Sequence, residues 1–270
     1  MSLPLPVSLS PSKVSSFTDC ALAFRFSAID RLPEPPSVAA TRGTLVHAAL
    51  ERLFLLDPHE RSLPVALECL TAASEAMRDD PDLVGLGLDA AAEATFLDEA
   101  RTLVEKYFRL ENPAAVTPIG LELKLEVELG GIRLRGIIDR LELDAEGQLV
   151  VTDYKTGRAP SEKQEQQRLT GVAFYSLLCE RLFGQRPAKV QLLYLADPVA
   201  IIATPTDRST RSVERKLTAV WAAVERACDR EDFRPNPSRL CDWCAFKSYC
   251  PSFGGDIALA DAHRAQLELV

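Results

Sequence analysis

The sequence predicts an α/β protein, on three observations. Apolar residues recur with a helical period over roughly the first 110 positions, switch to strict alternation near residue 121, and return to the helical period beyond residue 160. Two tight turn sequences, Gly130-Gly131 and Asp144-Ala145-Glu146-Gly147, punctuate the alternating stretch. With 270 residues, 47% of them apolar, the chain is long enough to bury one substantial core.

Taken in order, Ser10-Pro11-Ser12 reads as a helix start, opening a short helix through Cys20 towards Phe26, and Pro33, Pro35 and Pro36 close that region. An amphipathic helix is expected from about Gly43 to Leu56, with Leu45, Ala49, Leu53 and Leu56 near one face. Two more helices are expected over 62–80 and 89–110, separated by the Asp79–Asp82 run and by Gly85 and Gly87. In 121–129, five apolar residues alternate with Glu122, Lys124, Glu126 and Glu128, the pattern of a strand with one wet face. A two-residue turn at Gly130-Gly131 would set Val127 against Leu134, and Glu126 and Glu128 against Arg135 and Arg133. The second turn, closed by a left-handed Gly147, would pair Asp144 with Gln148. Continued along the strands, these registers bring Asp139 opposite Asp153, place Glu122 beside Asp139, and put Lys155 on the same face. After a loop at 156–160 come a helix over 161–183, strands near 188–196 and 199–204, a long helix over 207–230 and a cysteine-bearing segment. Residues 254–270 are expected to be peripheral.

The net charge of −8 argues against a general nucleic-acid coat but leaves room for a local basic groove. No apolar run reaches membrane-spanning length and no leader pattern is evident, so a cytoplasmic protein without membrane contact is expected. Seven cysteines, an odd number, favour metal or cluster ligation over a disulfide framework. Cys241-x2-Cys244-x5-Cys250 is too tight for three independent structural thiols, and Cys20 is the candidate fourth ligand. Thiolate-only ligation suits tetrahedral zinc or an iron–sulfur cluster, and the spacing favours neither. Cys69, Cys179 and Cys228 fall within helical stretches and read as buried thiols, while Trp243, Phe246 and Tyr249 are expected to pack around the cysteine site.

Read alone, Asp139 and Asp153 are exposed strand carboxylates balanced by Arg140 and Lys155. Their cross-strand adjacency, each led by an apolar pair, points instead to a shared cation. Three acidic groups on one sheet face repel, and Mg²⁺ or Mn²⁺ removes that conflict. A lysine two residues beyond Asp153 supplies charge where hydrolytic phosphodiester chemistry needs it.

Gly136-Ile137-Ile138-Asp139-Arg140 and Asp153-Tyr154-Lys155-Thr156-Gly157 resemble the paired motifs of the PD-(D/E)XK nucleases, in their RecB/AddB exonuclease branch. Gly43-x3-His47 resembles the same family's metal-histidine helix. The resemblance, over roughly residues 10–253, implies a restriction-endonuclease-like core, a mixed central sheet flanked by helices, in a single nuclease domain. Within it, 10–120 would be the helical part with Cys20 and His47, 121–206 the catalytic sheet, and 207–253 the long helix and cysteine segment. It implies that His47, Asp139, Asp153 and the Tyr154 carbonyl bind metal, that Lys155 is the catalytic lysine, and that Glu122 is accessory. Cys20, Cys241, Cys244 and Cys250 resemble the [4Fe–4S] clamp of AddB-type and CRISPR-adaptation nucleases.

A further implication is a groove for single-stranded DNA, with Arg42, Arg158, Lys163, Gln167, Arg168 and Tyr175 as candidate contacts. The chain lacks a helicase P-loop, so any unwinding would come from a helicase or other repair partner. One departure stands out. The family places Gln four residues before the helix tyrosine, and here Gly171 precedes Tyr175. That departure supports an alternative expectation, a catalytically weak iron–sulfur DNA-binding or scaffolding subunit of a helicase–nuclease complex.

Overall fold

The computed structural model describes residues 2–160 and 162–267, and the side chains of 2–160 and 171–266. Helix α1, Pro11–Asp19, starts where Ser10 accepts the Lys13 N–H at 3.3 Å, and α2, Ala21–Phe24, runs on into a wider π turn at Arg25–Ile29. Helix α3, Val38–Phe54, begins five residues before Gly43 because Ser37 caps the Ala40 N–H. Helices α4 (Leu63–Ala76), α5 (Pro81–Gly85) and α6 (Ala90–Tyr107) follow, the last capped by Asp89.

The sheet has five strands: β1 (Thr117–Leu129), β2 (Ile132–Leu143), β3 (Leu149–Lys155), β4 (Lys189–Tyr194) and β5 (Val199–Ala203), in the order β1-β2-β3-β4-β5. It is mixed, because β3 and β4 are parallel while β2–β3 and β4–β5 are antiparallel. Helix α7, Glu162–Phe183, is the crossover that a parallel β3–β4 pair requires. Helix α8, Asp207–Arg230, three single turns at 239–243, 247–249 and 251–253, and α9, Ile257–Leu267, complete the chain. No helix among the described residues is long and apolar enough to cross a membrane.

Both hairpin turns form as their sequences require. Gly130 and Gly131 have φ of 54° and 82°, the pair of positive values that a twisted two-residue turn demands, and Gly147 sits at 73°. Arg140 faces Thr152 and Leu143 faces Leu149, so the β2–β3 register is the expected one, and the Asp144 N–H donates to the Gln148 carbonyl at 3.0 Å. In β1, Glu122 takes φ 43°, an irregularity at a residue that bears on the site below.

The chain forms two compact units. One comprises 36–125 and 136–210; its core gathers Leu45, Leu50, Leu53, Phe96, Val104, Tyr107, Tyr154 and Leu193. The other comprises 1–35, 126–135 and 211–270. Its core gathers Leu22, Phe24, Phe26, Val224, Phe233, Phe246 and Ala260. There the Leu9 N–H donates to the Arg133 carbonyl at 2.8 Å, and Glu126 pairs with Arg133 and Arg135. Helix α9 departs from the expected periphery. Ala260 is fully buried, and Asp30, also fully buried, is held by Arg25 at 3.0 Å and by Arg264 at 2.5 Å, while Asp261 pairs with both arginines.

Candidate active site and cysteine site

The carboxylate site lies wholly within the unit of residues 36–125 and 136–210. Strands β2 and β3 supply Asp139, Asp153 and Lys155, α3 supplies His47, β1 supplies Glu122, and α7 supplies Tyr175. Donor atoms of His47, Glu122 and Asp139 lie within 4.8 Å of one another. His47 Nδ1 stands 3.6 Å from Asp139 Oδ2 and 3.8 Å from Glu122 Oε1, while its Nε2 is 3.2 Å from the Tyr154 carbonyl oxygen. The Tyr154 N–H donates to Asp139 Oδ2 at 2.6 Å, which ties β2 to β3 at the residue after Asp153. Asp153 forms an ion pair with Lys155 and accepts from the Tyr175 hydroxyl at 3.4 Å.

Two glycines let the helices come this close. A Cβ on Gly43 would stand 3.1 Å from Thr156 Oγ1, a tight contact that the bare position spares where α3 meets the loop after Lys155. A Cβ on Gly136 would stand 2.7 Å from Leu178 Cδ1 and 3.3 Å from the Tyr175 ring, so α7 lies against β2 at that point.

Burial sets the electrostatics. Desolvation first, and then the neighbouring Asp153 charge, push the Asp139 carboxyl up to about 7. For His47, burial opposes the charged form, but Glu122, Asp139 and Asp153 outweigh it and the imidazole pKa is raised. The His47 ring therefore holds a proton more readily among these carboxylates than a free imidazole does. The site opens into a cleft of about 660 Å³ lined by His47, Glu51, Glu122, Lys155, Thr156 and the exposed Arg158.

Beneath the sheet lies a network that sequence reading missed. Arg140 is fully buried, so it does not balance Asp139 as a surface counter-charge; following Asp139 in the strand, it faces the other side. Its guanidinium bonds Glu111 at 2.5 and 2.9 Å, Glu142 at 2.5 Å, the Tyr154 hydroxyl at 2.6 Å and Thr152 at 3.2 Å. It also stacks 4.5 Å over the Phe54 ring. Tyr154 thus presents its peptide to the carboxylates and its ring to this buried charge. Glu111 carries no local periodic signal that could have revealed it.

The remaining candidates separate. Arg42 is paired with Glu99 on α6 rather than free for a phosphate. Lys163, Gln167 and Arg168 lie on α7, but their side chains fall outside the described residues. Gly171 has open space where a Cβ would be.

A protein-family model for the PD-(D/E)XK nuclease superfamily matches residues 8–251. The chain belongs to that superfamily. Its members are nucleases that use divalent metals, and the histidine–carboxylate cluster is of the kind such metals bind. Among curated proteins, the Gene 69 protein of Mycobacterium phage D29 is 24% identical over 271 residues, an alignment spanning 90% of this chain and 96% of that protein. The Gene 69 protein of Mycobacterium phage L5 is 31% identical over 137 residues, 49% of this chain and 44% of that one. A solved structure described as a candidate exonuclease from Eubacterium rectale shares the fold at a TM-score of 0.54 and 12% identity. That alignment covers 88% of this nuclease and 93% of the other chain.

Cys20, Cys241, Cys244 and Cys250 of this nuclease lie in the other unit, where all line one small pocket with Phe26, Phe246 and Phe253. The Asn236 N–H donates to Cys20 Sγ at 3.4 Å and the Ser238 N–H to Cys241 Sγ at 3.3 Å. Burial raises the Cys244 thiol pKa against a lowering hydrogen bond from the Phe246 backbone, and the neighbouring Cys20, Cys241 and Cys250 add to the rise. Phe26 packs against Phe246 and Tyr249 with ring centroids 5.7 and 5.8 Å apart, as expected. Trp243 does not join them: it is 80% exposed.

Proposed function

We propose that this nuclease is a RecB/AddB-type exonuclease that hydrolyses single-stranded DNA in repair or recombination, with Mg²⁺ or Mn²⁺ at the carboxylate site and a [4Fe–4S] cluster on Cys20, Cys241, Cys244 and Cys250. The observation carrying the catalytic half is the meeting of His47 and Glu122 with the buried Asp139, donor atoms within 4.8 Å, with the Asp139 carboxyl pushed up to about 7. A site that holds mutually repelling carboxylates in low dielectric fits a dication, and hard oxygen donors with one imidazole fit Mg²⁺ or Mn²⁺.

His47, Asp139, Asp153 and the Tyr154 carbonyl are the proposed ligands, with Glu122 accessory. Once bound, the metal would neutralise phosphate charge and lower the pKa of an attacking water. The protein's own groups do the rest. The Lys155 ammonium, paired with Asp153, meets the charge that develops on the phosphoryl oxygens. The Tyr154 N–H fixes one Asp139 oxygen, and the Tyr175 hydroxyl steadies Asp153, so neither carboxylate has to reorganise. Arg158, exposed at the cleft, is the proposed contact to the flanking phosphodiester backbone.

At the cysteine site, N–H···S contacts to Cys20 and Cys241 lower the cost of thiolate charge, which suits a ligated cluster. The cluster's proposed role is structural. Having no P-loop, the nuclease would rely on a helicase or other repair partner for unwinding.

End-labelled single strands, blocked at either terminus, test the reading. Processive loss from one open end, with Mn²⁺ or Mg²⁺ required, is expected; equal cutting of circular single strands would replace exonuclease with endonuclease. DNA binding with no cleavage would favour the scaffolding alternative that Gly171 raises. Iron and zinc content, together with visible charge-transfer absorbance of anaerobically purified protein, decides the cysteine ligand.

A further inference from the structure

Trp243 sits between two clamp cysteines, and its 80% exposure is out of keeping with so large an apolar side chain. It lies on the single 3₁₀ turn Arg239–Trp243, where residues three apart eclipse one another. Leu240, 56% exposed, therefore shares its face and forms an apolar step beneath it. Cations border this turn. Arg239 opens it, and the Lys247 ammonium reaches back to the Asp242 carbonyl at 3.2 Å, one residue from Trp243, while lying 5.8 Å over the half-exposed Phe253 ring. From Arg239 to Phe253 two cations, Arg239 and Lys247, accompany the single carboxylate of Asp242, against a net charge of −8 for the whole chain. The other tryptophan is anchored differently, its indole N–H donating to Glu225 at 2.8 Å.

We propose that Trp243, with Leu240 beneath it and Arg239 and Lys247 at its sides, is a stacking platform for an unpaired base of single-stranded nucleic acid. An exposed indole flanked by cations matches what a flexible strand offers, a π face on each base and a phosphate beside it. A duplex hides those faces, so the platform discriminates for single strands. This rests on the proposed DNA-processing role, and it adds a contact outside the carboxylate cleft.

The test uses the full chain carrying Asp153→Ala, so that DNA is bound and not consumed, with fluorescein-labelled oligo(dT) at fixed salt read by anisotropy. Trp243→Ala is expected to weaken oligo(dT) binding by about tenfold, and Trp243→Phe to restore most of it. In a Trp221→Phe background, Trp243 fluorescence is expected to be quenched by oligo(dT) and not by the matching duplex. Affinity within about twofold of the parent for Trp243→Ala would overturn the proposal. So would unchanged DNA affinity together with altered sedimentation, which would make this face a contact between copies of the chain. In either case Lys155→Ala, assayed separately, still reports on the nuclease reading. A wild-type chain that neither binds nor cuts DNA removes both.

Discussion

At the scale of single residues, Asp139 and His47 make the metal-free site pH-dependent in one direction. The folded protein holds the Asp139 proton up to about 7, whereas the unfolded chain releases it near 3.8. Between those values the folded state binds more protons, so metal-free stability is greatest below the window and falls as pH rises through it. The raised His47 pKa acts in the same sense. Metal ligation must expel these protons, so Mn²⁺ affinity should climb as pH passes through about 7 and then level off. Thermal shift with and without Mn²⁺ measures this; the metal-induced gain should be larger at about pH 8 than at about pH 6. Lys155→Ala and Asp153→Ala should each lower kcat by about 10²-fold or more, with the fold retained by circular dichroism. Wild-type turnover in either variant would remove these residues from the chemistry.

At the scale of elements, α7 decides how firmly the site is built. Gly136→Ala puts a methyl against Leu178 and the Tyr175 ring, and such overpacking should cost about 1–3 kcal/mol in denaturant unfolding while also lowering activity through Tyr175. Gly171→Ala should act oppositely. It has open space and a helical setting, so a gain of about 0.5–1 kcal/mol is expected. The hairpins around Asp139 and Asp153 were legible in the sequence because local chemistry governs them: glycines at positive φ fix the turns, and turns fix the register. The start of α3 was misplaced because its cap, Ser37, hides behind a proline pair. The buried partner of Arg140 was illegible, since Glu111 reaches it across 29 residues of chain through tertiary packing alone. Trp243 misled for a related reason: composition marks an indole as core, and only the three-residue spacing of a 3₁₀ turn carries it outward.

At the scale of the whole molecule, the cysteine site is a proposed loop closure between positions about 220 residues apart. In the chain-entropy picture, cross-linking a loop of that size stabilises by on the order of 5 kcal/mol. Cys241→Ser, or removal of the bound cluster or metal, should therefore lower the thermal midpoint steeply, by calorimetry on anaerobic protein. An unchanged midpoint would make the four thiols incidental to folding.

The double duty of Tyr154 reaches beyond this one site. Between Asp153 and Lys155 a strand should accept any residue its neighbours can cover, yet here the phenol must end beside a fully buried guanidinium. A saturation library at position 154, selected for DNA hydrolysis, should return tyrosine almost alone, with phenylalanine as a weakened survivor. The grammar of the motif is thus enforced from the floor of the sheet as well as from its working surface.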